Sequence, residues 1–496
     1  MNKQKKEKKK KNKKYKMIYS ILLLVFSLWF IYNVVIWLRS MYKFRSFRGP
    51  TPLPFIGNVS SKCLVSPMRY FTFLRRNYGP ISTFFVFNTP FLVVSEPSAI
   101  RQILTDTKSF PKGVGYTVGF AYIFGEGLVT SDSEKHRTDR SRFSKYFVRS
   151  NISMYMDNIN TITKQMIKEL EEVHPENSFI TDVEHFFAPL ALRIFSTFCT
   201  GKDLYVGRRD AEARLCKAAS DASYMTGVSV LLRLPHLRGI FPWTKVLDRL
   251  LDEIIPEIKN IIATRRKEMA DGTWNGPEDC VSQMIQDNLS DKDVVDHMVT
   301  LLCAGHDTTA FFACYMVHQL AHYPDVQEKL RKEVLDTLGD QENPTADQIK
   351  DMAYMRKVML ETLRVFTIIP TLARYCVEDF ELKDLKVTIP KGTEILIPMS
   401  TVTRDETVWE RPTEFDPERF EGSEMSVAKK GFFPFGYGSR VCIGNTLAQM
   451  ESTVFMCHLL RRYRFEVDPK FKLKINSGIS LTTTNGIRVR LTKIQN

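Results

Sequence analysis

The sequence lacks the short motifs that mark most nucleotide-binding and metal-cluster proteins. It contains no Gly-x-Gly-x-x-Gly and no P-loop pattern, so we predict no nucleotide site of its own. Its nine cysteines include no Cys-x-x-Cys pair, which argues against a zinc cluster or a disulfide framework and favours a reducing compartment. Internal repeats and Gly/Ser-rich linkers are also missing, and this continuity predicts one large unit after the N-terminal region.

Acidic residues are almost absent from the first 48 positions. Residues 1–16 contain ten lysines and only Glu7, and four more basic residues follow between 39 and 48, whereas the whole chain carries a formal charge of +14. The excess is therefore confined to the N-terminal tenth, and residues 49–496 are close to neutral. A basic chain would suggest a nucleic-acid partner, but this distribution argues against one for the body.

An uncharged run of 22 residues, Met17 to Leu38, separates the two basic groups. As a helix it would span about 33 Å, enough to cross a bilayer core of about 30 Å. The alternatives are a cleaved signal peptide and a buried core helix. Bulky Met41, Tyr42 and Phe44 follow where a signal peptide would need small residues. We therefore predict a retained transmembrane signal anchor.

These features divide the chain into four parts. We expect a lysine-rich tail at 1–16, the anchor at 17–38, a basic and proline-rich linker at 39–58 and the large domain at 59–496. Because alternating prolines at 50, 52 and 54 cannot continue a helix, the linker is predicted to be a stiff, extended spacer between membrane and domain.

Helical periodicity dominates the large domain, whereas strand signals are few. The predicted helices are 67–78, 97–105, 133–148, 153–172, 182–200, 244–270, 290–323, 325–338, 353–367 and 443–462. Strand pairs are predicted around 88–90, 390–392 and 485–486, where Asn-Gly is the strongest hairpin signal. The predicted fold class is therefore mainly α with a minor β-sheet.

Ten residues near the C-terminus carry the most specific pattern, Phe435-x-x-Gly438-x-Arg440-x-Cys442-x-Gly444. A lone cysteine is more often a small buried hydrophobe than a ligand, but five matching positions rarely arise by chance. Gly438 and Gly444 would permit turns and a close approach that a Cβ atom would block. Cys442 lies just before a predicted helix, whose free amides and positive dipole end favour a thiolate over a thiol.

With this pattern the sequence resembles the cytochrome P450 family. The resemblance implies the cytochrome P450 fold for the domain and a heme whose iron is bound by the Cys442 thiolate. It further implies that Phe435 shields the sulfur and that Arg440 reaches a heme propionate. An anionic sulfur ligand pushes electron density onto iron and favours O–O cleavage.

Residues 290–323 form the longest predicted helix of the domain, which begins with a capping pattern and ends at a proline. Gly305 in its middle is unfavourable by roughly 1 kcal/mol relative to Ala, and we expect it to let the backbone lie close over a flat ring. A polar kink in a core helix is the alternative. The resemblance implies instead that Asp307 and Thr308 are an acid–alcohol pair that relays protons to dioxygen.

Two further groups follow from the same resemblance. Glu361, Arg364 and Arg419 are expected to form a structural network that braces the cysteine loop and takes no part in catalysis. The heme propionates require cations, because two carboxylates enter a partly buried site. The candidates are Arg440, Arg374, and His136 with Arg140; for His136 an ordinary surface position is the alternative.

The predicted substrate pocket is rich in aromatic and aliphatic side chains, which favours a lipophilic, sterol-like or fatty-acid-like substrate. Its candidate residues are Phe110, Tyr116, Phe120, Phe124, Phe312, Ile369 and Leu372. For each of them singly, an ordinary core position is the alternative. Residues 228–243, which are apolar with two arginines, are predicted to contact the membrane near a substrate entrance.

The function implied by the resemblance is that of a monooxygenase, which inserts one oxygen atom from O2 into its substrate. Since no nucleotide site is predicted, electrons would come from an NADPH-dependent flavoprotein reductase, with a cytochrome b5-like protein as a further candidate donor. Two alternatives stay open: a heme-thiolate isomerase or dehydratase acting on a lipid peroxide, and a non-catalytic membrane protein that binds heme or lipid. The acid–alcohol pair and the thiolate motif argue against both.

Two signals for the membrane orientation disagree. Ten lysines before the anchor and four basic residues after it favour a cytosolic N-terminus and hence a lumenal domain. The resemblance and the cysteine pattern favour a single-pass protein of the endoplasmic reticulum membrane with a cytosolic catalytic domain. We expect the second arrangement.

Overall fold

The computed structural model describes residues 2–59, 66–113, 120–121, 123–204, 216, 244–276, 279–422 and 428–494. Its named α-helices are α1 (Asn2–Lys43), α2 (Pro67–Tyr78), α3 (Pro97–Thr105), α4 (Ser133–Ser144), α5 (Arg149–Met154), α6 (Met156–Val173), α7 (Glu184–Thr200), α8 (Thr244–Ala270), α9 (Cys280–Gln286), α10 (Asp291–His322), α11 (Pro324–Leu338), α12 (Ala346–Asp351), α13 (Ala353–Val365), α14 (Met399–Val402) and α15 (Asn445–Arg462). Two short 3₁₀ helices cover Pro417–Phe420 and Gly438–Arg440. The fold is mainly helical, which confirms the predicted class.

The helix ends follow local signals closely. Helix α10 begins one residue after Ser290, whose hydroxyl oxygen accepts a hydrogen bond from the backbone N–H of Asp293 at 3.1 Å. It ends before Pro324, which opens α11. The predicted helix 133–148 is shorter than expected, because α4 ends at Ser144 and a separate short helix α5 follows.

The strands form small sheets at the edges of the helical body. They are β1 (Ile81–Val86), β2 (Thr89–Val94), β3 (Ser178–Asp182), β4 (Leu372–Tyr375), β5 (Phe380–Leu382), β6 (Val387–Ile389), β7 (Glu394–Ile397), β8 (Tyr463–Val467), β9 (Ile475–Ser477), β10 (Leu481–Thr483) and β11 (Arg488–Lys493). The largest described sheet has the order β1-β2-β7-β4, in which β2 and β7 are parallel and the other pairs antiparallel. A three-stranded antiparallel sheet has the order β3-β11-β8, and β5/β6 and β9/β10 are two-stranded.

Two of the three predicted strand pairs are wrong. The pair around 88–90 is present, with Val86 opposite Thr89. Across 390–392 the flanking strands separate, because β6 pairs with β5 while β7 lies between β2 and β4. Across 485–486 they separate as well, since β10 pairs with β9 and β11 lies between β3 and β8. The Asn485 side chain instead bonds the backbone of Lys472 and Lys474, both at 3.0 Å, and closes a loop.

Helix α10 lies at the centre of the core. Every residue from Ala310 to Val317 is buried, as expected for a helix that is apolar on all sides. Helix α7 packs along it, and the second half of α7, Leu190 to Thr200, is buried throughout. These two helices and α15 frame the space in which the site lies.

Helix α1 extends beyond the core. Its segment Lys13–Lys43 is long and apolar enough to cross a membrane, and its most apolar stretch is not buried in the protein. Trp29 and Phe30 contact the ring of Phe55, with centroids 5.8 and 4.9 Å away. The Asn88 amide donates to the Asn33 side chain at 3.0 Å. Helix α1 therefore contacts the rest of the protein through Phe55 and Asn88.

The linker packs on the body instead of forming a free spacer. Phe44 and Phe47 are buried, with 3% and 8% exposure, in a cluster that includes Ile395 of β7. The backbone N–H of Thr83 in β1 donates to the carbonyl of Arg48 at 2.9 Å. Residues of the linker thus pack on the body from about position 44 onward.

Candidate active site

A cavity of about 500 Å³ lies between α10 and the loop that precedes α15. Among the cysteines that the structure describes, Cys442 alone is exposed, and it lines this cavity. Along the wall formed by α10, Ala304 is exposed although most of the helix is buried. A ligand in the cavity would therefore contact a sulfur atom from one element and a small side chain from another.

Backbone contacts close the loop that carries Cys442. The Cys442 N–H donates to the carbonyl of Phe435 at 2.7 Å, and Gly438 between them has φ of +73°. A Cβ atom at Gly438 would also lie 2.7 Å from the carbonyl oxygen of Leu104, so glycine is required there. Gly444 differs from the expectation, because its φ of −82° is ordinary and a Cβ atom would lie 3.9 Å from the Cys442 sulfur.

Opposing effects act on the pKa of the Cys442 thiol. Although its surface is open to the cavity, Cys442 lies deep in the protein, and this burial raises the pKa of the thiol. Hydrogen bonds from the amides of Gly444 and Asn445 and the positive charge of Arg140 lower the pKa. The two amides belong to the N-terminus of α15, which begins at Asn445, two residues later than predicted. A bound metal cation would add the remaining charge that a buried thiolate needs.

Cations gather at one end of the cavity. Lys112, Arg374 and Arg440 all line it. Burial, together with the charges of Arg440 and Arg374, lowers the pKa of Lys112 to about 6. Lys112 Nζ donates to the backbone carbonyls of residues 128 and 131 at 3.3 and 2.9 Å. A dianionic ligand would offset the charges of Arg374 and Arg440 and raise the pKa of Lys112 toward its usual range, so that Lys112 would be a cation when the ligand is bound. The residues present therefore fit heme with its two propionates.

Three of the residues predicted to bind the propionates make further contacts or differ in charge from the expectation. Burial and the charges of Lys112 and Arg140 lower the pKa of His136 to about 4, so His136 is neutral near pH 7 and can offer only an N–H donor. Arg140 Nη1 donates to the carbonyl of Val441 at 2.7 Å, beside the cysteine. Arg440 pairs with Asp132, the N-cap of α4. Helix α4 is thus tied to the cysteine loop at both ends.

Helix α10 brings Asp307 and Thr308 to the cavity wall. The Thr308 hydroxyl donates to the carbonyl of Ala304 at 2.7 Å, one turn earlier. Asp307 Oδ2 accepts a hydrogen bond from the hydroxyl of Ser480 at 2.5 Å. Burial raises the pKa of Asp307 to about 6, and the Ser480 hydrogen bond opposes this rise. A carboxyl group with this pKa can both donate and accept a proton near neutral pH.

The expected reason for Gly305 is not what the structure shows. A Cβ atom at this position would collide with the ring of Phe195 in α7. Phe195 itself lines the cavity. Glycine is therefore needed so that α7 can pack against α10, while Ala304 is the small residue whose surface is exposed to the cavity.

Glu361, Arg364 and Arg419 are in direct contact. Arg364 binds both oxygens of Glu361 at 2.7 and 2.8 Å, and Arg419 Nε binds Glu361 Oε1 at 2.9 Å. Arg364 also donates to the carbonyls of Thr403, Pro412 and Glu414 at 2.8–3.0 Å. In the part of the chain that the structure describes, this network bonds to the segment 403–419, so it holds the chain that precedes the cysteine loop.

The predicted pocket residues divide into three groups. Those that line the cavity are Phe120, Phe124, Phe312, Ile369 and Leu372. Phe110 does not: it is fully buried in a separate cluster, where its ring lies 4.7 Å from that of Phe380. Its prediction as a pocket residue is wrong, because its ring packs against Phe380 in that cluster and not against the cavity. Tyr116 and residues 228–243 lie outside the described residues.

Sequence reasoning missed several polar residues of the cavity, among them Lys112, Ser480 and Glu451. Burial raises the pKa of Glu451 well above its usual range, and the nearby Thr309 side chain opposes this effect. An acid within an apolar stretch of a core helix is a signal that could have identified Glu451. Nothing near Lys112 or Ser480 in the sequence distinguishes them, since their partners are remote in the chain.

Comparison with known proteins adds an independent finding. A family model described as Cytochrome P450 matches residues 47–489. Cytochrome P450 3A12 of Canis lupus familiaris is 25% identical over 475 residues, covering 92% of this chain and 93% of that protein. Cytochrome P450 3A5 of Homo sapiens is 25% identical over 463 residues, covering 90% of each. Cytokinin hydroxylase of Arabidopsis thaliana is 29% identical over 394 residues, covering 77% and 75%.

Proposed function

This chain belongs to the cytochrome P450 family and is therefore a heme-thiolate enzyme of the monooxygenase class, and from this premise we propose that it inserts one oxygen atom of O2 into a lipophilic substrate. Family membership confirms the expected fold and the heme cofactor. The substrate, the electron donor and the roles of individual residues are parts of the proposal.

One observation carries the proposal. The cavity of about 500 Å³ brings together the Cys442 sulfur, the Ala304–Thr308 face of α10 and the cations Lys112, Arg374 and Arg440. This set suits a flat, dianionic ligand with a metal at its centre. When bound, heme supplies the iron at which dioxygen is activated.

The residues of the chain divide the work of holding the cofactor. Cys442 is the sulfur ligand, and the amides of Gly444 and Asn445 stabilise its negative charge. The backbone carbonyl of Phe435 accepts the Cys442 amide hydrogen bond, and Phe435 lines the same cavity, from which its ring would shield the sulfur. The three cations, with the neutral imidazole of His136, bind the propionates, and Arg140 positions the loop through Val441.

Asp307 and Thr308 are the proton-handling residues. A carboxyl group with a pKa of about 6 can receive a proton from water and pass it on at neutral pH. The Thr308 hydroxyl, bonded to the carbonyl of Ala304, can rotate to donate toward the cavity. Their adjacent positions on α10 place an acid and an alcohol at the same wall, as ordered proton delivery requires.

Apolar side chains bound the rest of the cavity and define the class of substrate. Aromatic residues at positions 120 and 124 and in α10, together with aliphatic residues of the 368–372 segment, favour a sterol-like or fatty-acid-like molecule. The residues involved are Phe120, Phe124, Phe312, Ile369 and Leu372. Such substrates partition into membranes, which agrees with an N-terminal anchor.

The cellular setting is a single-pass protein of the endoplasmic reticulum with a cytosolic catalytic domain. An NADPH-dependent flavoprotein reductase delivers the electrons, with a cytochrome b5-like protein as a further donor. Protease protection of the C-terminus in sealed microsomes would contradict this orientation. Loss of NADPH-dependent turnover when the reductase is left out is the expected result for the donor.

The central test compares Cys442→Ala with Cys303→Ala, since Cys303 is another described cysteine that lines the cavity. The reduced, CO-treated wild type and Cys303→Ala should share the absorbance band of thiolate-ligated heme, and Cys442→Ala should lose it. Wild-type protein with reductase and NADPH should oxidise members of a sterol and fatty-acid panel that also perturb its heme spectrum. Heme binding and oxidation that survive in Cys442→Ala would refute the assignment.

A further inference from the structure

The carboxyl group of Asp307 is held from outside its own helix. Its Oδ2 atom accepts a hydrogen bond of 2.5 Å from the hydroxyl of Ser480, which is 173 positions away in the chain. Both residues are buried, with 8% exposure for Asp307 and 2% for Ser480. A bond between two buried groups with fixed backbones restricts the orientation of the carboxyl group far more than a solvated contact would.

The backbone around Ser480 is fixed on several sides. Ser480 directly precedes β10 and is the last residue of the turn at the tip of the β9–β10 hairpin. The N–H of Leu481 donates to the carbonyl of Ile368 at 2.8 Å, and its carbonyl accepts from the hydroxyl of the fully buried Tyr315 at 3.0 Å. The Thr483 hydroxyl donates to Glu184 Oε2 in α7 at 2.8 Å. The hairpin is thus bonded to α7, to α10 and to the segment after α13.

The tip of the same hairpin bounds the substrate cavity. Ser477, Gly478, Ile479 and Ser480 all line it, alongside Ile368, Asp307 and Thr308. A molecule that presses on the hairpin tip therefore presses on the element that carries the partner of Asp307. Residues 477–480 therefore both line the cavity and, through Ser480, bind the carboxyl group of Asp307.

We propose that Ser480 is a positioning residue for the proton donor: its hydroxyl group holds the Asp307 carboxyl group in the orientation from which a proton reaches the cavity, and it makes that orientation depend on the hairpin tip that borders the substrate. The inference rests on the proposed role of Asp307. With Oδ2 engaged by Ser480, the carboxyl group cannot rotate freely about its Cβ–Cγ bond, and Oδ1 keeps a defined direction.

Few other groups can titrate beside Asp307 in the neutral range. Among the described residues, the charge of Asp307 raises the pKa of Glu184 in α7 and of Cys303, Cys314 and Tyr315 in α10. Burial raises the pKa of Cys303 to about 12 and raises the pKa of Cys314 and of Tyr315 well above their usual ranges, so all three stay neutral. Burial also raises the pKa of Glu184, against the hydrogen bond from Thr483. Glu184 is therefore the group that a control must address.

The first test measures the bond without using activity. The folded pKa of Asp307, about 6, lies above the ordinary value of 3.8, so its contribution to stability is complete below pH 3.8 and is lost as the pH rises through 6. Ser480→Ala removes a hydrogen bond to the ionised form, and this raises the pKa further. The unfolding equilibrium constant of Ser480→Ala, relative to wild type, should therefore grow by about ten-fold between pH 5 and pH 8.

The matched control is Thr483→Val, which removes the neighbouring hydroxyl–carboxylate bond to Glu184 and leaves the Asp307 contact in place. The pH-dependent difference should be absent when Ser480→Ala is made in an Asp307→Asn background, whereas any effect of Thr483→Val should persist there. Urea unfolding of the full-length chain in detergent, followed by circular dichroism, gives these constants. A Ser480→Ala effect that survives Asp307→Asn would overturn the proposal.

The second test reads proton delivery. With equal heme content and substrate affinity, Ser480→Ala should divert electrons to hydrogen peroxide and lower the ratio of product to NADPH by about ten-fold, with a changed pH profile and solvent isotope effect. Thr483→Val should keep the wild-type ratio. Equal ratios in Ser480→Ala and wild type would also overturn the proposal. If wild-type protein fails to oxidise any substrate, the proposed function is wrong, and the stability test still decides whether Ser480 holds Asp307.

Discussion

Replacement of Arg364 by alanine should destabilise the protein more than the loss of any surface ion pair. The Arg364 side chain is fully buried and makes five hydrogen bonds, two to Glu361 and one each to the carbonyls of Thr403, Pro412 and Glu414. Arg364→Ala leaves a buried carboxylate with one cation fewer and strands carbonyl groups that no water reaches without rearrangement.

The magnitude follows from these contacts. Breaking a buried ion pair by removing one partner costs about 3–5 kcal/mol, and each stranded buried acceptor about 1–3 kcal/mol. Arg419 remains on Glu361 at 2.9 Å, and relaxation recovers part of the loss, so we expect about 3–5 kcal/mol in total. This is a large part of the 5–15 kcal/mol that stabilises most domains, so we also expect poor accumulation of heme-loaded protein.

Arg411→Ala is the matched control. Arg411 lies in the same segment and pairs with Glu414 at 2.8 Å and Asp416 at 2.9 Å, but its side chain is 59% exposed, so its loss should cost less than about 1 kcal/mol. Arg364→Lys keeps the charge without the planar fork and should fall between the two. The assay is urea unfolding of the detergent-solubilised full-length chain, followed by circular dichroism. Equal midpoints for Arg364→Ala and Arg411→Ala would refute the reasoning.

Three further outcomes are expected. Gly438→Ala should lower the free energy of unfolding by about 2–4 kcal/mol, because Gly438 has a positive φ and an added Cβ atom would collide with a backbone carbonyl. Gly436 has φ of +80°, but the atom nearest to an added Cβ lies 3.7 Å away, so Gly436→Ala should cost about 1–2 kcal/mol in the same urea assay. A chain that starts at residue 49 loses buried Phe44 and Phe47 and should be about 3–6 kcal/mol less stable than one that starts at residue 40; equal unfolding midpoints would contradict this. Lys112→Met should speed heme transfer to apomyoglobin about ten-fold, and an unchanged rate would remove Lys112 from propionate binding.

Predictions from local pattern were accurate where the chain itself contains the cause. Helix α10 was expected at 290–323 and spans 291–322, because a serine cap and a proline fix its ends through bonds to adjacent residues. The loop around Cys442 is closed by contacts within ten residues, such as that with the carbonyl of Phe435. Such features depend on backbone geometry that a short stretch of sequence encodes.

Predictions failed where a distant partner decides the outcome. The Asn-Gly turn at 485–486 did not form a hairpin, because its flanking strands found partners elsewhere, β9 for one and β3 and β8 for the other. Phe110 points into a cluster with Phe380 and away from the cavity. Gly305 serves the ring of Phe195 from a different helix. In each case the local signal was real, but packing energy from another element outweighed it.

The order of the residues alone predicts the sulfur ligand, the membrane anchor and the acid–alcohol pair on a long helix, because the residues of each lie close together in the sequence. The tertiary structure then determines which charged and polar side chains come into contact. Lys112 faces Arg374 and Arg440 across more than 250 positions, and Ser480 reaches Asp307 across 173, so that their pKa values depend on neighbours and burial that arise when the core closes. Side-chain chemistry is local, but the electric field and the hydrogen-bond partners that tune it are assembled through space.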